Sequence, residues 1–169
     1  MANGIAGVKT GESDLVLPVG ADGYAASADW YFPTQSDGSM NPNGVIWLQH
    51  GFLTGKSFYA KLATQLAQQT NSIVVAPNLP PFPFLCSDCS LSGTSMQEAA
   101  AALFLGDRDA LTQSALAAGW VGTLPEQYVL AGHSAGGGFA AAVAGYTVDN
   151  GAADEGHLPA FDRDATTFT

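Results

Sequence analysis

The segment from Val129 to Gly138 constrains the fold more than any other part of the chain. It reads VLAGHSAGGG, an apolar run followed by a Gly-x-Ser-x-Gly pattern and then small residues that suit a helix. This order predicts a strand, a sharp turn with Ser134 at its tip, and a helix whose N-terminal amides point toward that serine. Gly132 and Gly136 are expected where a Cβ would collide with neighbouring backbone. Chance occurrence among 20 glycines is the alternative, and the flanking runs favour a serine nucleophile instead.

Composition limits the class of protein and its partners. The chain has 169 residues, 47% of them hydrophobic and 12% charged, which suits one domain with a sizeable core. A net charge of -10 argues against nucleic acid and anionic membranes as partners. Few lysines and many small polar residues favour a secreted or periplasmic protein, although residues 1–9 lack signal-peptide features. We predict one partial domain over 1–169, loosely ordered over 1–27 and flexible over 147–169.

A proline-rich stretch over 77–93 is predicted to be a long loop at the carboxyl edge of the sheet. Its aromatic residues Phe82 and Phe84, with Leu85, either line an apolar substrate cleft or simply cover the core. Cys86 and Cys89 in the same stretch favour a local disulfide over free thiols. A zinc site would need two further ligands, and no nearby pair of Cys or His residues offers them. We therefore expect no metal and no cofactor.

Apolar runs and helical periodicity alternate along the chain. The predicted strands are 14–18, 28–33, 45–49, 72–76 and 128–131, and the predicted helices are 58–69, 95–118 with a break or bend at Gly106, and about 135–146. The first helix is expected to bury a stripe of Phe58, Leu62 and Leu66. This alternation predicts an α/β fold with a mostly parallel sheet and flanking helices. Ligands bind at the carboxyl ends of such strands, where the segment 50–52 and Ser134 both fall.

From about Asp29 to Tyr146 the chain resembles the α/β-hydrolase superfamily, in its chlorophyllase-like and polyester-hydrolase-like branches. GHSAG around Ser134 looks like the nucleophile elbow of that family, and HGF at 50–52 looks like its oxyanion loop. The run HGFLTGKSFYAKLATQLAQQ followed by SIVVAPNLP is similar as well. The resemblance implies a serine-dependent carboxylic ester hydrolase of the lipase or esterase type. The backbone amides of Phe52 and Ala135 would then hold the oxyanion.

The resemblance also implies roles for two histidines. His50 would shape the oxyanion loop and would not act as a base. His133 would pack beneath the turn that carries the serine. Neither imidazole is therefore expected to be the proton acceptor.

The sequence departs from this family after Ser134. The family order is serine, acid, histidine, with strands between them, whereas 35 residues follow the serine here. His157 is the only histidine among them, and no predicted strand precedes it. Asp162 lies at a plausible distance for the acid, but Pro159 interrupts the strand that would support it. A sheet that ended at the strand before Ser134 would also leave an apolar strand exposed at its edge.

These observations predict an N-terminal portion of an α/β-hydrolase that a second polypeptide completes. That polypeptide would carry the C-terminal half of the fold with the catalytic Asp and His, and the substrate would be a small apolar ester. A different class of function stays open, in which the chain is a non-catalytic binding or assembly subunit that retains the nucleophile-elbow fold. A third interpretation is a shortened chain with no biological partner.

Overall fold

A single mixed sheet of six strands organises the computed structural model, which describes residues 4–84, 86, 88–153 and 166–168. The strands are β1 (Ile5–Leu17), β2 (Tyr24–Gln35), β3 (Val45–Gln49), β4 (Ile73–Pro77), β5 (Tyr128–Gly132) and β6 (Thr166–Phe168). The helices are α1 (Ala60–Thr70), α2 (Thr94–Ala102), α3 (Asp109–Ala117) and α4 (Ala135–Ala153), with a 3₁₀ turn (Lys56–Tyr59) before α1. The strand order is β1-β2-β4-β3-β5-β6. Pairing is antiparallel from β1 to β2 and from β2 to β4, and parallel elsewhere, so the predicted fold class is confirmed.

The central strands bury side chains on both faces of the sheet. On β3, Val45 and Trp47 pack into one apolar cluster with residues of α2, α3 and α4. Ile46 and Leu48 alternate with them and pack into a second cluster with residues of α1. A strand without a solvent face has to be covered by helices on both sides. The result is a three-layer arrangement with one helix on one face and three on the other.

Helix α1 buries small residues, which corrects the predicted stripe. Ala63 and Ala67 are fully buried, whereas Phe58 is 78% exposed and Leu62 is 43% exposed. The distance between packed elements depends on the side chains at the contact, so an alanine face lets the helix lie close to the sheet. The larger side chains then fall outside the contact, and only Leu66 is half-buried.

The predicted loose N-terminus over 1–27 is wrong for the residues from Ile5 onward. Strand β1 pairs with β2 along nearly its whole length, from Ile5 opposite Gln35 to Leu17 opposite Tyr24. The predicted strand at 14–18 is only its buried end. The rest of β1 lies at the edge of the sheet, where polar and charged side chains face solvent and weaken the sequence signal.

Contacts from elsewhere in the chain fix β1 and β2. Lys56, in the 3₁₀ turn, forms ion pairs with Glu12 of β1 and Asp29 of β2. On the opposite face, the Ser13 hydroxyl donates to the carbonyl of Ser114 in α3 at 2.6 Å. The N-terminal hairpin is therefore tied to both helical layers.

The described C-terminal residues also differ from the prediction. Helix α4 continues past the expected end near 146 to Ala153, so residues 147–153 are helical. Strand β6 pairs in parallel with β5, from Val129 opposite Thr166 to Ala131 opposite Phe168. The strand before Ser134 is therefore not the edge of the sheet, contrary to the prediction. Weak helix formers after residue 146 mislead because tertiary packing overrides intrinsic propensity; Thr147, for example, is fully buried.

The long helix predicted over 95–118 is two helices. The chain between α2 and α3 takes a positive φ at Gly106 (66°) and at Arg108 (59°), conformations that end a right-handed helix. The break expected at Gly106 is confirmed. It allows Phe104 and Leu111 to enter the same apolar cluster from different directions.

Candidate active site

Ser134 occupies the tip of a sharp turn between β5 and α4. Its φ is 57°, in the left-handed region that non-glycine residues rarely adopt. The amides of Gly137 and Gly138 donate to its carbonyl oxygen at 2.9 and 3.3 Å, which begins the helix directly behind it. The serine side chain is exposed. The predicted strand, strained turn and helix are all present.

Three glycines bring the elbow and the segment after β3 into backbone contact. A Cβ on Gly132 would lie closer than 3.0 Å to the carbonyl of Gly136. A Cβ on Gly136 would also lie closer than 3.0 Å to the carbonyl of Gln49, at the end of β3. A Cβ on Gly51 would lie 2.8 Å from the His133 carbonyl and 3.2 Å from the Ser134 Cβ. Only residues without a Cβ allow this approach.

The amides of Phe52 and Ala135 lie on the two segments that meet here. Within the part of the chain that the structure describes, neither amide donates a hydrogen bond. Ala135 is the first residue of α4, where amides have no acceptor inside the helix and the helix dipole is positive. Phe52 directly follows Gly51, which packs against Ser134. Two unpaired donors thus lie in the segments flanking the serine.

His50 shapes the loop, as the resemblance implied. Its side chain is buried, and its Nε2 accepts a hydrogen bond from the Leu79 amide at 3.0 Å. The proton must then be on Nδ1, which donates to the Gly51 carbonyl at 2.9 Å. Burial lowers the pKa of His50 below 6.5, so the ring is neutral at pH 7. With both nitrogens engaged, His50 is unavailable as a base.

His133 does not pack beneath the turn, and that prediction is wrong. The side chain is exposed, and its Nδ1 lies 3.0 Å from the hydroxyl of Tyr59. His133 lies at the turn between β5 and α4, and its side chain contacts the 3₁₀ turn that precedes α1. Sequence reasoning missed Tyr59. The available signal was its place just before α1, in the turn that follows the segment 50–52.

Comparisons with known proteins identify the fold. No family model matches the sequence, and no curated protein matches it. Solved structures do match: the hyperthermophilic esterase from the archaeon Pyrobaculum calidifontis has a TM-score of 0.55 and 22% identity over 89% of this chain. A bacterial heroin esterase has a TM-score of 0.59 and 18% identity over 86%. A thermostable esterase from Pseudomonas putida has a TM-score of 0.58 and 16% identity over 90%.

This chain has the α/β-hydrolase fold. It spans 41 to 42% of the length of those three structures, as expected of an N-terminal portion of the α/β-hydrolase fold. At such low identity the likeness establishes the fold, and the chlorophyllase-like or polyester-hydrolase-like branch stays a prediction.

Three phenylalanines, one of them in the segment 50–52, stack in a row at this edge of the α/β-hydrolase fold. The ring centroids of Phe52 and Phe82 are 5.5 Å apart, and those of Phe82 and Phe84 are 5.1 Å apart, with interplanar angles of 17° and 13°. Phe82, in the middle, is half-buried, while Phe52 is 45% and Phe84 79% exposed. The two predicted cleft residues therefore form one stack with Phe52, whose amide is a predicted oxyanion donor. Leu85 lies outside the described residues.

The predicted disulfide closes the loop that carries these rings. Cys86 and Cys89 are bonded, with their Cα atoms 5.3 Å apart. Cys89 is buried in the apolar core and Cys86 packs against it. The disulfide thereby anchors the loop a few residues beyond Phe84.

The described residues supply no acid or base for Ser134. Over 4–84, 86, 88–153 and 166–168, no imidazole or carboxylate is hydrogen-bonded to its hydroxyl. His157 and Asp162, the candidates named from the sequence, lie outside these ranges. No group of three metal-ligating side chains and no helix able to cross a membrane occurs within them.

Proposed function

We propose that this chain carries the nucleophile of a serine-dependent carboxylic ester hydrolase of the lipase or esterase type. The observation that supports this most strongly is Ser134 at a φ of 57° between β5 and α4. The unpaired amides of Phe52 and Ala135, in the segments that flank it, add the second element of the chemistry. The matched structures are named as esterases, which supports an ester as the bond that is cleaved.

The mechanism proceeds through an acyl-enzyme. The Ser134 hydroxyl attacks the acyl carbonyl while a histidine removes its proton. The negative charge that develops on the carbonyl oxygen is held by the two backbone amides and by the positive end of α4. Collapse of the tetrahedral intermediate breaks the bond to the leaving oxygen, which takes the proton from the histidine and departs as the alcohol. Water then gives a proton to the same histidine and attacks the ester on the serine, and the acid leaves as that proton returns to Ser134. Because both donors belong to the backbone, the hole depends on loop position rather than on side-chain identity.

We further propose that the histidine and its acidic partner come from a second polypeptide with the C-terminal half of the fold. The described residues offer Ser134 no base, and β6 lies at an edge of the sheet where further strands could pair. The coverage of 41 to 42% of the matched structures agrees with a missing half.

The proposed substrate is a small apolar ester, because the phenylalanine stack provides an apolar surface beside the proposed oxyanion loop. The Cys86–Cys89 disulfide supports an oxidising compartment, and we propose that the protein is secreted or periplasmic.

Substitution of Ser134 tests the nucleophile. With the complementary polypeptide present, Ser134→Ala should lower turnover of a p-nitrophenyl ester by about 10³-fold or more and abolish labelling by a fluorophosphonate probe. Ser36→Ala, at an exposed turn far from the elbow, is the matched control and should change neither value. Full turnover by Ser134→Ala would refute the assignment.

Denaturing mass spectrometry of the active preparation tests the second polypeptide. We expect a second species whose sequence places a histidine after an apolar strand. Full esterase activity from this chain alone would contradict that part of the proposal.

A non-catalytic binding or assembly subunit is the second candidate. The absence of an imidazole or carboxylate bonded to Ser134 in the described residues favours it. The fluorophosphonate probe separates the two functions, because only an activated serine reacts. No labelling in the presence of the complementary polypeptide would support the binding subunit.

A further inference from the structure

The hydroxyl of Tyr59 bridges the two segments that carry the oxyanion amides. It accepts a hydrogen bond from the amide of Gly51 at 3.4 Å and lies 3.0 Å from Nδ1 of His133. Gly51 directly precedes Phe52 in the oxyanion loop, and His133 lies two residues before Ala135 at the start of α4. A single oxygen atom therefore contacts both arms of the proposed oxyanion hole.

The protons around this oxygen can be assigned from the distances. The Thr54 hydroxyl donates to the Gly51 carbonyl at 2.9 Å, so it has no proton left for Tyr59, 3.4 Å away. The Gly51 amide is itself a donor. The Tyr59 hydroxyl can then donate its proton to Nδ1 of His133, its nearest acceptor, in the tautomer that carries the imidazole proton on Nε2.

The ring of Tyr59 is anchored, whereas the loop residues that directly follow Gly51 are exposed. The ring packs against the apolar cluster between α1 and the sheet, which includes Tyr31 and Ile46. In the loop, Leu53 is 84% exposed and adopts a φ of 58°. A fixed phenol beside an exposed loop is well placed to determine where that loop lies.

We propose that Tyr59 is a positioning residue, whose hydroxyl holds Gly51 against His133 and so sets the separation of the Phe52 and Ala135 amides. The inference rests on the proposed function, and Tyr59 itself touches no reacting atom. Oxyanion donors act only when they are held where the charge develops. A displacement of about 1 Å in a catalytic arrangement costs on the order of 100-fold in rate.

Tyr59→Phe tests the proposal because it removes the oxygen and keeps the ring. In the assembly with the complementary polypeptide, kcat and the rate of fluorophosphonate labelling should fall about tenfold, part of the loss that a full 1 Å displacement would cause, while KM changes less than about twofold. Tyr31→Phe, in the same apolar cluster, is the matched control and should leave all three values unchanged. A Tyr59→Phe enzyme as fast as the wild type, when Ser134→Ala is inactive, would overturn the proposal.

Substitution of His133 shows whether Tyr59 acts through the bridge. His133→Leu removes the acceptor and should lower kcat as Tyr59→Phe does, and the double variant should be no slower than either single one. His133→Asn places an oxygen near the position of Nδ1 and should restore most of the rate. Additive losses in the double variant would show that the two side chains act separately.

Amide hydrogen exchange gives a readout that is independent of activity. In Tyr59→Phe the amide of Gly51 should exchange several-fold faster than in the wild type, with no change for amides in the centre of β3. Unchanged exchange at Gly51 would refute the bridge even if the chain were not an esterase. A wild type that neither labels nor turns over ester, with faster exchange at Gly51 in the variant, would count against the proposed function alone.

Discussion

Two neighbouring regions at the carboxyl edge of the sheet are held in place by different means. The first, the glycine junction (residues 49–51 and 132–136), is backbone packed on backbone, where a Cβ would overlap a carbonyl. The second, the aromatic loop (residues 77–93), is held by stacked rings and a disulfide. The proposed chemistry lies in the first region and the apolar surface in the second. The glycine junction, where the proposed chemistry requires a fixed geometry, therefore depends on backbone contacts that any side chain at its glycines would disrupt.

The largest expected effect is on the glycine junction. Gly132→Ala should lower the free energy of unfolding by about 3 kcal/mol or prevent folding, because the added methyl group overlaps the Gly136 carbonyl in a rigid turn. Chemical denaturation measures the change. Gly138→Ala, with open space around its Cβ, is the control and should raise stability by up to about 1 kcal/mol. Equal effects at the two positions would contradict the role assigned to backbone packing.

A second test breaks the link between the junction and the start of the aromatic loop. His50→Leu should cost about 2 kcal/mol of folding free energy, because the Leu79 amide and the Gly51 carbonyl lose their buried partner. Thermal and urea unfolding at about pH 7.5 would measure it. A cost near zero would show that water replaces the imidazole.

The same histidine predicts a dependence of stability on pH. Burial lowers the pKa of His50 in the folded state below 6.5, so below that pH the unfolded state binds more protons than the folded state. Its contribution is fully present above about pH 6.5 and is lost as the pH falls toward the lowered value. His50→Leu should therefore lose less stability than the wild type between about pH 7.5 and about pH 5.

The disulfide test addresses the aromatic loop. Replacement of both Cys86 and Cys89 by Ser should cost at most about 2 kcal/mol, because the cross-link closes a very short loop. The part of the acid dependence that comes from His50 should not change. Reductant added to the wild type should reproduce the effect. A loss as large as that of Gly132→Ala would show that the two regions are not separable.

The smallest expected effect concerns the phenylalanine stack. Phe82→Ala removes the middle ring and should raise KM for an apolar aryl ester several-fold, about 1 kcal/mol, with kcat unchanged. Phe84→Ala removes an exposed end ring and should change KM less. Steady-state kinetics with matched aryl and short alkyl esters would check both. A larger effect of Phe84→Ala would place the ester at the outer end of the stack.

Strands buried on both faces were easier to predict from the sequence than the strand at the edge of the sheet. Strand β3 was predicted to the residue, Val45–Gln49, because burial on both faces produces an uninterrupted apolar run. Strand β1 was largely missed because its edge position leaves polar residues facing solvent. The sequence predicts the end of α4 near residue 146, whereas the helix continues to Ala153. The buried Thr147 shows that packing overrides weak helix propensity at that position.

The candidate site was predictable where the backbone determines it. The segment 50–52 and Ser134 meet because carboxyl ends of adjacent parallel strands share one edge of the sheet. The bridge from Tyr59 to His133 joins side chains 74 positions apart, a contact that no local pattern encodes. The same limit explains why His133 was expected beneath the turn and is instead exposed.

The hydrogen bond from the Leu79 amide to His50 holds the start of the aromatic loop in place, so residues 81–84 can be substituted without loss of that attachment. A directed-evolution library confined to residues 81–84 would vary Phe82 and Phe84 while the start of the loop stays attached to the rest of the molecule. Under the proposed function, variants from such a library would differ in which esters they prefer, and most of them would remain folded. Randomising position 50 as well would remove that protection, because the imidazole of His50 is the acceptor of this hydrogen bond.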